Sequence, residues 1–143
     1  MRTLLALVLL ALPTFAAPVP KELKQPPPWD RLQGRWVIVT MNTGGGQEVQ
    51  EGDFAGFTLT IEGDKLTSTS PGGAGIKDAI VVYDFRAHPM RIDLKSDSYA
   101  GKGIFKFEDG QLYWCRSSEN GPTPTEFKSG GVNICYIWKR QEK

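Results

Sequence analysis

Two kinds of sequence meet at the stretch Leu32-Gln33-Gly34-Arg35-Trp36-Val37-Ile38-Val39. Before it lie an apolar leader and a proline-rich run. After it, apolar segments alternate with glycine-containing turns. We interpret the stretch as the entry to a first β-strand, in which Gly34 lets the backbone approach a neighbour closely. Trp36 is large enough to close one end of a core.

The composition is that of a globular protein with a balanced charge. The 143 residues suffice for one domain with a hydrophobic core. Hydrophobic residues make up 40% and charged residues 23%, which excludes a disordered chain. The 17 Lys and Arg residues stand against 16 Asp and Glu residues, with no run of positive charge. We therefore expect no nucleic-acid partner, because non-specific binding to nucleic acid depends on clustered positive charge.

Residues 1–16 have the pattern of a secretory signal peptide. Arg2 supplies the positive start, residues 4–12 form a short apolar segment, and small residues precede a cleavage site after Ala16. The alternative is an uncleaved membrane anchor, but a spanning helix needs about 20 apolar residues. The leader thus predicts a secreted protein, or one of the periplasm or cell envelope, with no membrane span after cleavage.

A linker and one domain follow the leader. Residues 17–29 contain five prolines and predict an extended linker. Residues 30–143 predict a single all-β domain, because alternating apolar and polar residues mark about eight short strands. These strands are expected at 35–41, 57–61, 65–70, 78–85, 90–94, 101–107, 111–116 and 132–139. Their short spacing favours an antiparallel meander closed into a lipocalin-like barrel, which removes the sheet edges; a β-sandwich is the alternative.

The two cysteines fall on the last two predicted strands. A register with Cys115 opposite Cys135 also places large apolar residues opposite each other on the other face of the two strands. These pairs are Trp114 with Tyr136 and Leu112 with Trp138. We therefore predict a Cys115–Cys135 disulfide on a half-exposed face. Two free thiols on adjacent strands are the alternative.

Large side chains on the faces expected to point inward would line the barrel. They are Trp36, Phe57, Leu59, Phe105, Phe107, Trp114 and Tyr136. Such a lining suits a small apolar ligand, but an eight-stranded barrel can equally be filled by its own side chains. Two functions stay open: binding of a small apolar ligand, and a structural or protein-interaction module of the cell envelope. In the second case the glycine-rich loops 43–46 and 71–75 would contact a protein partner.

The sequence contains no convincing catalytic constellation. His88 is the only histidine, and it lies in a predicted turn with no nucleophile beside it. One histidine and two cysteines are too few for a zinc site. The glycine-rich loops lack the following Lys-Ser/Thr of a phosphate-binding loop. We therefore expect no enzymatic activity, no cofactor and no metal.

The two ends of the predicted domain resemble the lipocalin pattern. In lipocalins a Gly-x-Trp strand closes one end of the barrel, and a basic residue near the C-terminus packs over the tryptophan by cation–π stacking. Gly34 and Trp36 match the first part of this pattern, and Lys139-Arg140 matches the second. The resemblance therefore implies structural roles for Gly34, Trp36 and Arg140, with Lys139 as the second candidate.

A broader resemblance covers nearly all of residues 30–143. It is to the uncharacterised lipocalin-like domain of secreted planctomycete proteins. The matching segments are Leu32-Gln33-Gly34-x-Trp36, Leu59-Thr60-Ile61-x-Gly63-Asp64-Lys65, Ile92-Asp93-Leu94, Gly103-Ile104-Phe105, Asp109-Gly110-x-Leu112-x-x-Cys115, Pro124-Thr125-Glu126-Phe127 and Lys139-Arg140. The resemblance implies a domain of unassigned activity. Cys135 departs from the pattern expected of that family, so the disulfide prediction depends on strand register alone.

Overall fold

The computed structural model describes residues 27–43, 48–73, 75–97, 99–117 and 121–142. The predicted signal peptide, residues 1–16, and the linker as far as residue 26 lie outside the described residues. Within the described ranges, no helix has the length and apolar character needed to cross a bilayer.

In the part of the chain that the structure describes, nine β-strands form one antiparallel sheet, with very little helix. The strands are β1 (Gly34–Asn42), β2 (Glu48–Gln50), β3 (Thr58–Glu62), β4 (Lys65–Thr69), β5 (Ala79–Asp84), β6 (Met90–Lys95), β7 (Ala100–Glu108), β8 (Gln111–Ser117) and β9 (Asn133–Arg140). Helix α1 (Pro28–Leu32) precedes β1, and a single 3₁₀ turn (Glu51–Phe54) follows β2. Helix α1 therefore begins inside the segment predicted to be a linker.

Eight of the strands close into a barrel. From β3 to β9 each strand pairs with the next in sequence, and β1 pairs with both β3 and β9. Strand β2 pairs only with the last residues of β1, beyond the part that pairs with β3. The predicted all-β barrel is confirmed, and the β-sandwich alternative is wrong because the β1–β9 pairing joins the two edges of the sheet.

The barrel has two distinct ends. The first, here called the α1 end, carries helix α1, the last residues of β9 and the turns that follow β3, β5 and β7. The second, here called the loop end, carries the connections that follow β1, β4, β6 and β8. Along β1 the buried residues alternate as Trp36, Ile38 and Thr40, so these side chains point into the barrel.

The register of the last two strands agrees with the prediction. Cys115 lies opposite Cys135, and the pairs Trp114–Tyr136 and Leu112–Trp138 follow. The two cysteine sulfur atoms lie at disulfide-bonding distance. The expected half-exposed face is wrong for Cys115, which is 1% exposed.

The connection between β8 and β9 explains the burial of Cys115. Within this connection Pro124 is buried, and Phe127 borders a crevice of about 130 Å³ together with Tyr113 and both cysteines. Lys106 also lies on this outer face, with its ammonium group 5.2 Å from the Phe127 ring centroid. The outer surface of β8 is therefore covered by a loop that strand periodicity alone does not reveal.

Candidate functional site

Helix α1 covers one end of the barrel. Pro28 suits the first turn of a helix because its missing N–H group has no intrahelical partner there. Leu32 is fully buried, and its carbonyl oxygen accepts a hydrogen bond of 2.9 Å from Trp36 Nε1. The Trp29 ring meets the Tyr83 ring edge-on, with 4.9 Å between the ring centroids. These contacts close the α1 end.

Arg140 joins the last strand to this closed end. Its guanidinium carbon lies 4.6 Å from the Trp36 ring centroid, and the group donates hydrogen bonds to the carbonyl oxygens of Gln33 and Arg31. Gly34 has a φ of +114°, and a Cβ atom there would lie 2.9 Å from Arg140 Nη1. Any side chain at position 34 would therefore displace the guanidinium group. Arg140 occupies the place that the lipocalin resemblance gives to the basic residue.

Aromatic rings fill the interior next to helix α1. The Phe107 ring centroid lies 6.4 Å from that of Trp36 and 5.9 Å from that of Phe105. Arg31 covers the outer side of this group, with its guanidinium carbon 4.1 Å from the Phe107 ring centroid. Trp36 and Phe105 are each 1% exposed, so protein side chains occupy this half of the barrel.

The other half of the interior, toward the loop end, contains a cavity of about 200 Å³. Most of its wall consists of apolar and aromatic side chains. These are Ile38, Met41, Phe57, Leu59, Leu66, Ile76, Trp114, Tyr136 and Trp138, and the remaining lining residues are Thr58, Ser68, Gly75 and Arg116. Pockets for drug-sized ligands measure about 300–1,000 Å³, whereas about 150 Å³ is enough for benzene in an apolar core. The cavity therefore suits a ligand about the size of a single ring.

One part of the cavity wall is not a regular strand. Strands β4 and β5 share only two residue pairs in register. Beyond these pairs the segment 75–78 takes the place of β5. There the Ser68 backbone N–H donates to the Ile76 carbonyl oxygen at 2.8 Å, and the Ile76 N–H donates to Ser68 Oγ at 2.9 Å. The half-buried Ile76 side chain thus completes the wall where strand pairing stops.

Arg116 contributes a positive charge to the cavity wall. It follows Leu112 and Trp114 at intervals of two residues on the inward face of β8. Its Nε donates to the Tyr136 hydroxyl oxygen at 3.1 Å, and its Nη1 donates to the Tyr99 hydroxyl oxygen at 2.5 Å. The guanidinium carbon also lies 5.2 Å and 5.5 Å from the ring centroids of Tyr99 and Tyr136. A half-buried cation is therefore held by two tyrosine hydroxyl groups.

Two indole N–H groups from the cavity wall have no acceptor in the part of the chain that the structure describes. Trp114 and Trp138 are each 5% exposed, and the Nε1 atom of each is buried without a hydrogen-bond partner. Gly103 makes room for one of them, because a Cβ atom there would lie 2.6 Å from Trp114 Nε1. An indole N–H can only donate, and a buried donor without an acceptor is destabilising.

The environment of Tyr136 favours the protonated form of its hydroxyl group. Burial raises the pKa of Tyr136, and the charge and hydrogen bond of Arg116 lower it by less. Since the Tyr136 oxygen already accepts a hydrogen bond from Arg116, its own hydrogen remains free to be donated.

The residues predicted to line the interior divide between the two halves of the barrel. Phe57, Leu59, Trp114 and Tyr136 border the cavity. Trp36, Phe105 and Phe107 lie in the filled half. Each of these side chains belongs to the hydrophobic core or packs against it.

Sequence reasoning did not assign Arg116 or Tyr99 to the site. A signal for Arg116 was present, because this residue shares the alternation of Leu112 and Trp114, and a charged residue on an inward face is uncommon. Tyr99 and Ile76 lie outside the strands, where no periodic pattern indicates which way a side chain points.

The predicted turn residue His88 is exposed in the connection between β5 and β6. Among the described residues, no three His, Cys, Asp or Glu side chains lie close enough together to hold a metal ion. Comparison of the chain with protein-family models, with curated proteins and with solved structures finds no match. The resemblance to the lipocalin-like domain therefore stays a prediction, and the function has to be argued from the cavity.

Proposed function

We propose that this chain is an exported β-barrel protein that binds a small, mainly apolar ligand in the cavity at the loop end. The observation that carries the proposal is a cavity of about 200 Å³ inside a barrel whose other half is filled. Protein interiors normally pack as densely as organic crystals. A void bordered by large aromatic rings is therefore the kind of space that a ligand would occupy.

Three further features support export. The Cys115–Cys135 pair lies at disulfide-bonding distance, and disulfides persist mainly in oxidising compartments outside the cytosol. The predicted signal peptide and the resemblance to a lipocalin-like domain of secreted proteins agree with this. We propose binding without catalysis.

A second candidate function is a structural or protein-interaction module of the cell envelope. It is favoured by two exposed apolar residues on the outer face of β5, Ile80 at 43% and Val82 at 61% exposure. A groove of about 450 Å³ lies beside them and is lined by Val82, Asp93 and Lys102 among others. Of the glycine-rich loops predicted to contact a partner, residues 44–46 and 74 lie outside the described residues.

Toluene binding, followed by NMR of nitrogen-labelled protein, tests ligand binding directly. The chain has four tryptophans, so their indole N–H signals report separately on the two halves of the barrel. Toluene should shift the signals of Trp114 and Trp138, which line the cavity. The signals of Trp29 and Trp36 at the α1 end should stay in place, because their surroundings are filled by protein.

A matched pair of variants controls this titration. Ile76→Phe places a larger side chain in the cavity wall and should abolish the shifts. Val132→Phe adds the same ring at a position that is 47% exposed and should leave them unchanged. If toluene moves none of the four signals, or moves all of them alike, the ligand-binding proposal fails and the interaction module becomes the better account.

A further inference from the structure

We infer that the ligand of the cavity carries an anionic group with oxygen acceptors, such as a carboxylate, which binds at Arg116. Its apolar part, a single ring or a compact branched chain, would occupy the rest of the cavity. This inference depends on the proposed ligand-binding function and narrows that function to one chemical class, small carboxylates and their close analogues.

The first argument is the charge of Arg116. An ion pair joins Lys106 to Glu108 on the outer surface, whereas Arg116 has no acidic partner among the described residues. Arg116 has the hydroxyl groups of Tyr99 and Tyr136 as its polar partners, and neither partner is a carboxylate. Withdrawing a cation from water is costly unless an opposite charge compensates for it. An anion in the cavity would supply that charge.

The second argument is the excess of hydrogen-bond donors on residues in and beside the cavity wall. The indole N–H groups of Trp114 and Trp138 have no acceptor among the described residues. The hydroxyl oxygens of Tyr99 and Tyr136 accept from Arg116, so their hydrogens remain available. A ligand that matches this set has to bring acceptors, and an ionised oxygen is the strongest acceptor available.

The third argument is the geometry of the guanidinium group. A guanidinium carries five N–H donors. The two tyrosines engage Nε and Nη1 of Arg116, and Nη2 makes no recorded hydrogen bond within the described residues. The planar arrangement of the remaining N–H groups suits the two oxygens of a carboxylate. An ammonium ligand would meet the same positive charge and the same donors, and should be rejected.

The apolar part of the cavity limits the size of the ligand. The wall includes Ile38, Leu59 and Leu66, which offer no polar side-chain atoms. The volume of about 200 Å³ admits one ring but not an extended acyl chain. Benzoate is therefore a suitable probe of the proposed class.

Four probes with one ring in common separate the contribution of charge from that of shape. They are toluene, benzyl alcohol, benzylamine and benzoate, each titrated into the intact protein and followed through the indole signals of Trp114 and Trp138. Benzoate should bind at least about tenfold more tightly than benzyl alcohol, as expected for hydrogen bonds to a charged group. Benzylamine should bind more weakly than benzyl alcohol.

Two variants test whether Arg116 causes the preference for benzoate. Arg116→Gln should remove the preference for benzoate over benzyl alcohol. Arg91→Gln removes one positive charge from an exposed position on β6 and should leave the preference intact. If Arg116→Gln fails to fold, Tyr99→Phe keeps the cation but removes one hydroxyl beside it, and should lower the benzoate preference severalfold.

Each failure has its own signature. Toluene binding with equal affinities for benzoate and benzyl alcohol would overturn this inference and leave ligand binding standing. A benzoate preference that survives Arg116→Gln, or that is the same in a folded Tyr99→Phe variant as in the parent, would also overturn it. If none of the four probes binds, including toluene, the proposed function fails together with the inference.

Discussion

Arg140 connects parts of the chain that are more than a hundred residues apart. Its guanidinium group lies over the Trp36 ring and donates to two carbonyl oxygens, those of Gln33 and of Arg31 in helix α1. The glycine at position 34 leaves the space that the guanidinium occupies. One side chain therefore ties together helix α1, the first strand and the last strand.

Replacement of Arg140 by alanine should destabilise the barrel by about 1–2 kcal/mol, from the loss of charged hydrogen bonds and a cation–π contact at an exposed site. Urea unfolding measures the change as a lower midpoint with an unchanged slope. Lys139→Ala is the matched control, since it removes a positive charge from the same strand end but leaves the Arg140 contacts in place. Equal midpoints for the two variants would contradict the role assigned to Arg140.

At the scale of secondary-structure elements, β8 and β9 form a long pair without interruption. Seven residue pairs are in register, from Gln111–Lys139 to Ser117–Asn133. The disulfide lies on the outer face of this pair, and aromatic residues form the inner face. The same two strands therefore carry a covalent link on one side and part of the cavity wall on the other.

The Cys115–Cys135 bond should contribute about 3 kcal/mol in the chain-entropy model, because the linked residues are 20 apart in sequence. Reduction of the parent protein should lower the midpoint of urea unfolding. The double variant Cys115→Ala, Cys135→Ala should lower this midpoint by a similar amount. Because Cys115 is buried, alkylation has to be carried out in guanidinium. Without reductant the mass should not change; a gain of two alkyl groups under that condition would show that the thiols are free.

At the scale of the whole molecule, buried tyrosines make the stability of the barrel depend on pH. Burial, with a smaller effect from the nearby Asp64 carboxylate, raises the pKa of Tyr83 to about 12 from an ordinary value of 10.0. Burial also raises the pKa of Tyr136. In the unfolded chain both groups lose their protons near their ordinary value. The free energy of unfolding should therefore fall as the pH rises above 10, through the range in which only the unfolded state is deprotonated.

Tyr83→Phe tests this dependence. The hydroxyl of Tyr83 is buried without a partner within the described residues, so its removal should cost nothing at about pH 7. At about pH 11 the variant should retain more stability than the parent, since one source of the pH dependence is gone. Phe85→Leu alters a ring stacked on Tyr83 but removes no titrating group, so it should keep the parent's pH dependence. If the free energy of unfolding falls equally with rising pH in the parent and in Tyr83→Phe, the role assigned to Tyr83 is wrong.

Much of the barrel could be predicted because its signals are local. Alternating side chains and glycine turns placed eight strands within a few residues, and the cysteines fixed one register. Strand β2 (Glu48–Gln50), by contrast, is not among the eight predicted strands, because it depends on pairing with β1. Which half of the interior is filled also depends on rings that meet across the barrel, such as Trp36 and Phe107, and no spacing along the chain reveals that.

The pairing of β1 with β9 brings together the two places where the chain enters and leaves the domain. The Gln141 N–H donates to the Arg35 carbonyl oxygen at 2.9 Å, directly beneath helix α1. A tether attached before helix α1, after β9, or at both places would hold the molecule at its α1 end. The domain could accordingly be inserted into another polypeptide, or repeated in tandem, with the loop end and its cavity directed away from the attachment point.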